Sequence, residues 1–149
     1  MRVVAAAVNP FDAFVLKGYM KDRLEHRFPL VPCGDLAGTI DAVGPGVEQF
    51  AQGDRVFGTT GRMVMGAGTL AEYAIATAGT LARTPASLSD TDAAASPLAG
   101  VSGLMCVDAV DPSPGDSVLV IGAGGGVGSF AVQIAAARGA QVVAVTSTG

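Results

Sequence analysis

The pattern of apolar and polar positions changes character near Pro97. Before that residue, the apolar segments are only a few residues long and are separated by glycine and proline, which is typical of short strands joined by turns. The predicted strands are Arg2 to Val8, Leu36 to Val43, Arg55 to Phe57, Glu72 to Ala76 and Thr80 to Arg83. A helix capped by Ser89 is predicted to follow them. Short strands with frequent turns favour a small β-barrel or sandwich, so residues 1–97 are assigned to a β-rich first domain.

Residues 98–149 contain longer segments with helical or parallel-strand patterns. Leu98 to Val110 predicts a helix. Val118 to Ile121 is a continuous apolar run, which predicts a parallel strand buried on both faces. From Val127 to Arg138 the apolar residues recur at i, i+3, i+4, i+7 and i+8, which defines one face of a helix. Gln141 to Val145 predicts a second strand, so this part of the chain contains a β-α-β unit.

The glycine-rich sequence between these strands lies in an uncharged run from Val118 to Ala137. Roughly 20 apolar residues can span a bilayer, and glycine-rich segments can act as flexible linkers. However, five of the seven residues from Gly122 to Gly128 are glycine, and each costs about 1 kcal/mol relative to alanine inside a helix. Periodic apolar segments adjoin the glycines on both sides, unlike the polar neighbours of a linker. We therefore predict a strand, a tight turn and a helix whose first N–H groups face a phosphate.

The spacing of the glycines predicts a dinucleotide-binding loop. In the favoured frame, Ala123-x-Gly125-x-x-Gly128, Ala123 replaces the first glycine of the motif GxGxxG. Gly125 lets the pyrophosphate approach the backbone, and Gly128 lets the helix pack against the strand. Frames that begin at Gly122 or Gly124 are also compatible with the sequence.

The end of the second predicted strand bears on the choice of cofactor. An acidic residue that binds the adenosine ribose usually stands about 20 residues beyond the glycine motif. Residues 145–149 contain no acid and carry hydroxyl groups instead. Because a carboxylate would repel a 2′-phosphate, its absence favours NADPH over NADH. The predicted loop and ribose residues are Gly122, Ala123, Gly124, Gly125, Gly126, Val127, Gly128, Thr146 and Ser147.

The composition limits the binding partners and the cellular compartment that we expect for the protein. The net charge is −4 and no basic run occurs, which argues against nucleic acid because phosphate contacts need clustered lysine and arginine. Cys33 and Cys106 are predicted to be buried free thiols in a reducing compartment. The amino-terminal residues lack the pattern of a signal peptide. We expect a cytoplasmic protein.

Six segments of the chain occur together in the order and at the spacing of one known family. They are Ala5 to Asp12, Gly34 to Gly38, Val43 to Val47, Gly53 to Gly58, Gly68 to Tyr73 and Ser96 to Leu104. With the glycine loop they resemble the medium-chain dehydrogenase/reductase superfamily, and in particular its zinc-free quinone oxidoreductase branch, which includes zeta-crystallin. The resemblance implies an α/β fold with a β-rich first half. A GroES-like β-barrel over 1–97, incomplete at its start, would precede the first β-α-β unit of a Rossmann NAD(P)-binding domain over 98–149.

The resemblance also implies hydride transfer from NADPH to a quinone or to an activated C=C or C=O group, without zinc. Zinc-dependent members carry cysteine where this chain has Asn9, and Gly-His-Glu where it has residues 33–35, Cys-Gly-Asp. With one histidine and two distant cysteines, a catalytic zinc set of three N/S ligands is not expected. No metal site is predicted, and His26 is expected on the surface or in a turn.

The family pattern assigns the candidate catalytic residues. Asn9 is the first, because its amide can contact the nicotinamide ribose or the substrate oxygen. Tyr19 is the second, because its hydroxyl could donate a proton or a hydrogen bond. Ser102 stands where many members carry threonine near the nicotinamide, which makes it a candidate cofactor residue. Asp12 and Arg55 are expected to be structural.

Two other functions stay open. Family members begin before Met1 and continue past Gly149, so the chain could be a fragment, a truncated product or half of an assembly, and we expect it to bind NADPH weakly or not at all alone. It could then be a non-catalytic binding or pairing module. It could also be an enoyl reductase of the same superfamily acting on acyl thioesters. The expected partners are a quinone or enone substrate and, in the full-length family, a second subunit, with no nucleic acid or membrane.

Overall fold

The computed structural model describes residues 1–61 and 64–147. They form two compact units, Met1–Pro97 and Leu98–Gly149. The elements of the first unit are β1 (Arg2–Ala7), α1 (Pro10–Leu16), β2 (His26–Val31), β3 (Asp35–Thr39), β4 (Arg55–Thr59), β5 (Met65–Ala67), a 3-10 turn (Ala78–Thr80), β6 (Leu81–Arg83) and α2 (Asp90–Ala95). Those of the second are α3 (Pro97–Val110, which begins at the boundary), β7 (Ser117–Ile121), α4 (Gly126–Ala137) and β8 (Gln141–Val145).

The first unit is built on a four-stranded sheet with the order β1-β3-β4-β6, in which neighbouring strands are antiparallel. Its core lies on both sides of the central strands. Ala37 of β3 packs against Ala93 and Ala94 of α2, and Val56 of β4 packs against Ile40 and Phe50. Strands β2 and β5 form a separate parallel pair. Strand β3 is therefore paired on both sides, with β1 and with β4.

Some predicted elements of the first unit are wrong. The segment from Glu72 to Ala76 is not a strand, because it pairs with the start of the chain only at an isolated bridge between Tyr73 and Arg2. The strand predicted to reach Val43 ends at Thr39. The pattern also missed α1, β2 and β5, which are short; β2 and β5 pair with each other across more than 30 residues.

The second unit contains the predicted β-α-β arrangement. Strands β7 and β8 are parallel, with residue pairs running in register from Ser117 and Gln141 to Ile121 and Val145. Helix α4 buries Ala131 and Ala135 against the sheet, which is the helix face predicted from the apolar spacing. Gly139 follows the helix with a φ of +85°, as expected for a left-handed C-terminal cap.

The predicted burial of β7 on both faces is wrong. Val118 and Val120 pack toward α4, whereas Leu119 and Ile121 are 61% and 78% exposed. Side chains alternate across a strand, and a single crossover helix covers one face of the sheet. The uncharged run of the sequence is thus divided into a strand, a turn and a helix, and no helix in the described ranges is long and apolar enough to cross a membrane.

Candidate functional site

The glycine loop joins β7 to α4 through a tight turn. The backbone N–H groups of Gly122 and Ala123 both donate to the carbonyl of Val145, at 2.9 and 3.0 Å, and Gly125 N–H donates to the carbonyl of Gly122 at 3.0 Å. Gly122 has a φ of +79°, a conformation that a Cβ atom disfavours. The glycine that the turn requires is therefore Gly122, the residue before Ala123, at which the favoured frame begins.

Gly128 allows α4 to lie against the end of β7. A Cβ atom at this position would stand 2.2 Å from the carbonyl oxygen of Gly122 and 2.9 Å from Cα of Ala123. No side chain fits such a contact without moving backbone. The close approach of helix and strand that the motif predicted at Gly128 is present in the structure.

The three glycines between these positions are not required by the fold. A Cβ atom at Gly124, Gly125 or Gly126 would meet its nearest neighbour at 3.5, 3.4 or 3.5 Å, which is ordinary contact, and none of the three has a left-handed φ. A cavity of about 500 Å³ opens beside the loop, and its other lining side chains, from α3, β7 and α4, are almost all apolar. Internal packing therefore does not require these three glycines, and two of them, Gly125 and Gly126, line this cavity.

The amino terminus of α4 is suited to an anion. Its N-cap is Gly125, no side chain caps it, and its first turn has no acidic residue. In contrast, α2 is capped by Ser89 and carries Asp90 and Asp92 in its first turn. The first N–H groups of a helix have no acceptor within the helix, and the helix dipole makes this end partly positive. An anionic group would therefore be favoured at the loop.

The other predicted cofactor residues lie at two places in the second unit. Thr146 follows β8 and stands 3.5 Å from the position of a Cβ atom at Gly124, and its hydroxyl donates to the carbonyl of Ser147 at 3.0 Å. Ser102 is half-buried on α3. It lies one turn beyond Ala99 of the same helix. The Cβ atom of Ala99 is 3.5 Å from the place that a Cβ atom would take at Gly126. The structure thus brings the residues around the loop together with the end of β8 and one face of α3.

In the first unit, Asn9 is the N-cap residue of α1 and is held by two carboxylates. Its backbone N–H donates to Oδ2 of Asp12 at 2.7 Å, and its side-chain Nδ2 donates to Oδ2 of Asp35 at 3.0 Å. Asp12 and Asp35 are 8% and 3% exposed. The sequence signal for the first contact was present, because an acid three residues after an N-cap is typical of a capping box. The second depends on the pairing of β1 with β3 and had no local signal.

Tyr19 lies on the surface of the first unit. It is 66% exposed, and its ring centroid is 5.9 Å from that of Phe14. Its hydroxyl is therefore accessible to a ligand.

Asn9 and Asp35, which by the family resemblance stand where zinc-dependent members carry cysteine and glutamate, are joined by a hydrogen bond. Within residues 1–61 and 64–147, no three His, Cys, Asp or Glu side chains are grouped so as to hold a metal ion. The expected surface or turn position of His26 is corrected, because His26 begins β2. Its Nδ1 lies 2.7 Å from the carbonyl of Leu24, and its buried Nε2 has no partner in the described part of the chain.

The two cysteines are free, as predicted, but only Cys33 is buried and Cys106 is exposed. Burial raises the pKa of the Cys33 thiol, and the negative charges of Asp12 and Asp35 raise it further. We therefore expect Cys33 to stay protonated to higher pH than an ordinary thiol and to react slowly, because the thiolate is the nucleophile.

The measurement is the reaction of the native chain with a disulfide reagent at neutral to mildly alkaline pH. One thiol should react promptly and the second only after denaturation. Cys106→Ser should remove the fast phase. A fast phase that survives this substitution and disappears in Cys33→Ser would contradict the expectation.

Comparison with known proteins identifies the family. Residues 1–86 match the alcohol dehydrogenase GroES-like domain, which confirms the fold predicted for the first half. The chain is 35% identical, over 97% of its length, to the chloroplast envelope quinone oxidoreductase homolog of Arabidopsis thaliana, and it covers 45% of that protein. It is 37% identical to the 2-methylene-furan-3-one reductase of Solanum lycopersicum, with coverage of 99% and 39% of the two chains.

A solved structure supports the same relationship. The alcohol dehydrogenase superfamily protein from Novosphingobium aromaticivorans is 39% identical and aligns with a TM-score of 0.87 over 99% of this chain and 44% of its own. The chain thus spans less than half the length of these relatives. It belongs to the alcohol dehydrogenase GroES-like domain family of the medium-chain dehydrogenase/reductase superfamily, and it is similar to the quinone oxidoreductases of that superfamily.

Proposed function

We propose that this chain belongs to a zinc-independent oxidoreductase that transfers hydride from NADPH to a quinone or to an activated C=C or C=O group. The observation that carries the proposal is the set of three loop glycines, Gly124 to Gly126, whose missing side chains leave space that the fold does not need. Their position before the uncapped amino terminus of α4 fits a pyrophosphate. Residues 98–149 would then be the beginning of a Rossmann domain, and residues 1–97 a GroES-like domain.

The residues of this chain would bind and orient the reactants. The N–H groups of the loop would hold the pyrophosphate, and Thr146 and Ser147 would contact the adenosine ribose. NADPH, when bound, supplies the hydride. Asn9 would orient the nicotinamide ribose or the substrate oxygen, Ser102 would contact the nicotinamide side of the cofactor, and the exposed Tyr19 hydroxyl would provide a proton or a hydrogen bond to the substrate. Such positioning and charge stabilisation is the protein's share of cofactor-dependent catalysis.

A titration of the isotopically labelled chain with NADPH tests the cofactor part of the proposal. We expect weak but saturable shifts in the amide resonances of the loop and of Thr146, with smaller effects elsewhere. Turnover is then assayed with 1,4-benzoquinone, with an enone and with a 2-enoyl thioester. Turnover of the thioester alone would favour an enoyl reductase, and binding without turnover would favour a non-catalytic module. Absence of shifts at the highest soluble concentration of NADPH would contradict NADPH binding by this chain alone.

Substitution of Ser147 tests the preference for NADPH. Ser147→Asp places a carboxylate where the 2′-phosphate is expected, and we predict that it weakens NADPH binding by about tenfold through charge repulsion while NADH binding is retained. Ser147→Asn is the matched control, because it has nearly the same shape without the charge. Equal losses for both cofactors, or an equal loss in the control, would contradict the assignment of Ser147 to the 2′-phosphate.

A further inference from the structure

Asp35 is a buried carboxylate on a central strand of the sheet in the first unit. It is the first residue of β3, and its backbone pairs with Ala7 of β1 on one side and Thr59 of β4 on the other. It is 3% exposed. A buried carboxylate is costly unless hydrogen bonds compensate for the lost water, so its position requires polar partners nearby.

The contacts of Asp35 fix both its backbone and its side chain. Its carbonyl accepts a hydrogen bond from the hydroxyl of Thr69 at 2.8 Å, and Thr69 is fully buried. Its carboxylate Oδ2 accepts a hydrogen bond from Asn9 Nδ2 at 3.0 Å. We call this last bond the Asn9 tether. A buried residue that is paired with strands on both sides therefore holds the side chain of Asn9.

The tether determines the orientation of the Asn9 carboxamide. A carboxylate accepts hydrogen bonds and does not donate them, so only the Nδ2 end of the amide can face Asp35. The backbone of Asn9 is held independently, because its N–H donates to Asp12 at 2.7 Å. Asn9 itself is only half-buried. A side chain that reaches the surface is thus fixed at both its backbone and its amide.

We propose that Asp35 is a positioning residue, which holds the Asn9 carboxamide in the orientation that contacts the nicotinamide ribose or the substrate oxygen. This inference rests on the proposed function. It assigns Asp35 a role that is separate from its contribution to the sheet: Asp35 acts on the reaction through Asn9 and does not touch the reactants.

Four variants separate this role from a merely structural one. Asp35→Ala removes the acceptor, and Asp35→Asn keeps an acceptor oxygen at the same place. Thr69→Val removes the hydrogen bond to the Asp35 carbonyl but leaves the tether intact. Asn9→Ala removes the held group. Each is made in the full chain.

The first readout is the pair of Asn9 side-chain N–H resonances in the labelled chain. We expect Asp35→Ala to move them to the values of a free carboxamide. Asp35→Asn should leave them close to the wild-type values, as should Thr69→Val even though it lowers the melting temperature. If the Asn9 resonances do not move in Asp35→Ala, no tether exists. If Thr69→Val moves them as far as Asp35→Ala does, the effect is a general loosening. If Asp35→Ala does not fold, Asp35→Asn decides the question. A wild-type-like Asn9 signal, with side-chain hydrogens that exchange more slowly with solvent than those of exposed amides, supports the tether. A signal like that of a free carboxamide overturns it.

The second readout is NADPH oxidation with 1,4-benzoquinone. Loss of orientation should lower kcat roughly ten- to a hundredfold in Asp35→Ala with little change in KM for NADPH, and Asp35→Asn should recover most of it. The double variant Asn9→Ala/Asp35→Ala should be no slower than Asn9→Ala alone, because Asp35 acts through Asn9. Additive losses would overturn the proposal. Absence of turnover in the wild type would contradict the proposed function instead, and the resonances of Asn9 would still decide the tether.

Discussion

Gly128→Ala is expected to remove a large share of the stability of the second unit. The added Cβ atom would stand 2.2 Å from the carbonyl oxygen of Gly122 and 2.8 Å from its carbonyl carbon, so that the start of α4 and the end of β7 must separate. Overpacking of this kind costs about 3 kcal/mol. A unit of about 50 residues has a total stability of only roughly 3–8 kcal/mol, so the loss removes a large share of it.

Hydrogen exchange of the backbone amides measures this effect with an internal reference. The amides of β8, which pair with β7, should lose their protection in Gly128→Ala, whereas those of Leu36 and Ala37 in the first unit should keep theirs. Gly126→Ala is the matched control in the same helix. Its Cβ atom would meet Ala99 at 3.5 Å, and alanine favours a helix by up to about 1 kcal/mol, so protection of β8 should be unchanged or increased. Loss of protection in the control, or its retention in Gly128→Ala, would contradict the assignment of Gly128 to the fold.

Gly125→Ala should have the opposite effect, with loss of NADPH binding and little loss of stability. The new methyl group would lie 3.4 Å from the nearest atom, the carbonyl oxygen of Gly122, and alanine in place of glycine at an N-cap costs only about 0.5–1 kcal/mol. It would, however, project into the space in which a pyrophosphate must approach the N–H groups of α4. Loss of one hydrogen bond to a charged group corresponds to roughly a ten- to hundredfold weaker affinity.

The affinity is measured by titration of the labelled chain with NADPH, at a temperature at which the wild type and Gly125→Ala are both folded. Gly79→Ala provides the control, because no atom lies within 4 Å of a Cβ at that position and its φ is not left-handed. It should bind NADPH as the wild type does. Unchanged binding in Gly125→Ala would remove the main support for the cofactor loop, while an equal loss in Gly79→Ala would show that the effect is not local.

Together these variants divide the glycines of one motif by their physical role. The fold requires Gly122, because its φ is left-handed, and Gly128, because helix and strand are in close contact there. Gly124, Gly125 and Gly126 leave room beside the helix terminus. Spacing alone does not show which of the clustered glycines adopts the left-handed conformation.

Local signals account for the parts of the fold that the sequence predicted well. The strand Gln141–Val145, the end of α4 before Gly139 and the cap of α2 at Ser89 were all predicted at or within a residue of their observed positions. Each depends on periodicity or on a turn residue within a few positions. Strands β2 and β5 were missed, because short strands of this kind are stabilised by a partner far away in the sequence.

The amino-acid sequence by itself determined the β-α-β unit, the glycine loop and the resemblance to an oxidoreductase family, because these depend on the order and spacing of nearby residues. Only the tertiary structure decided which glycines the fold requires, that Leu119 and Ile121 remain exposed, that Cys106 is accessible, and that Asn9 is held by Asp35. The last pair is 26 positions apart. Such contacts arise from strand pairing and from packing between distant segments, and they cannot be predicted from the spacing of nearby residues.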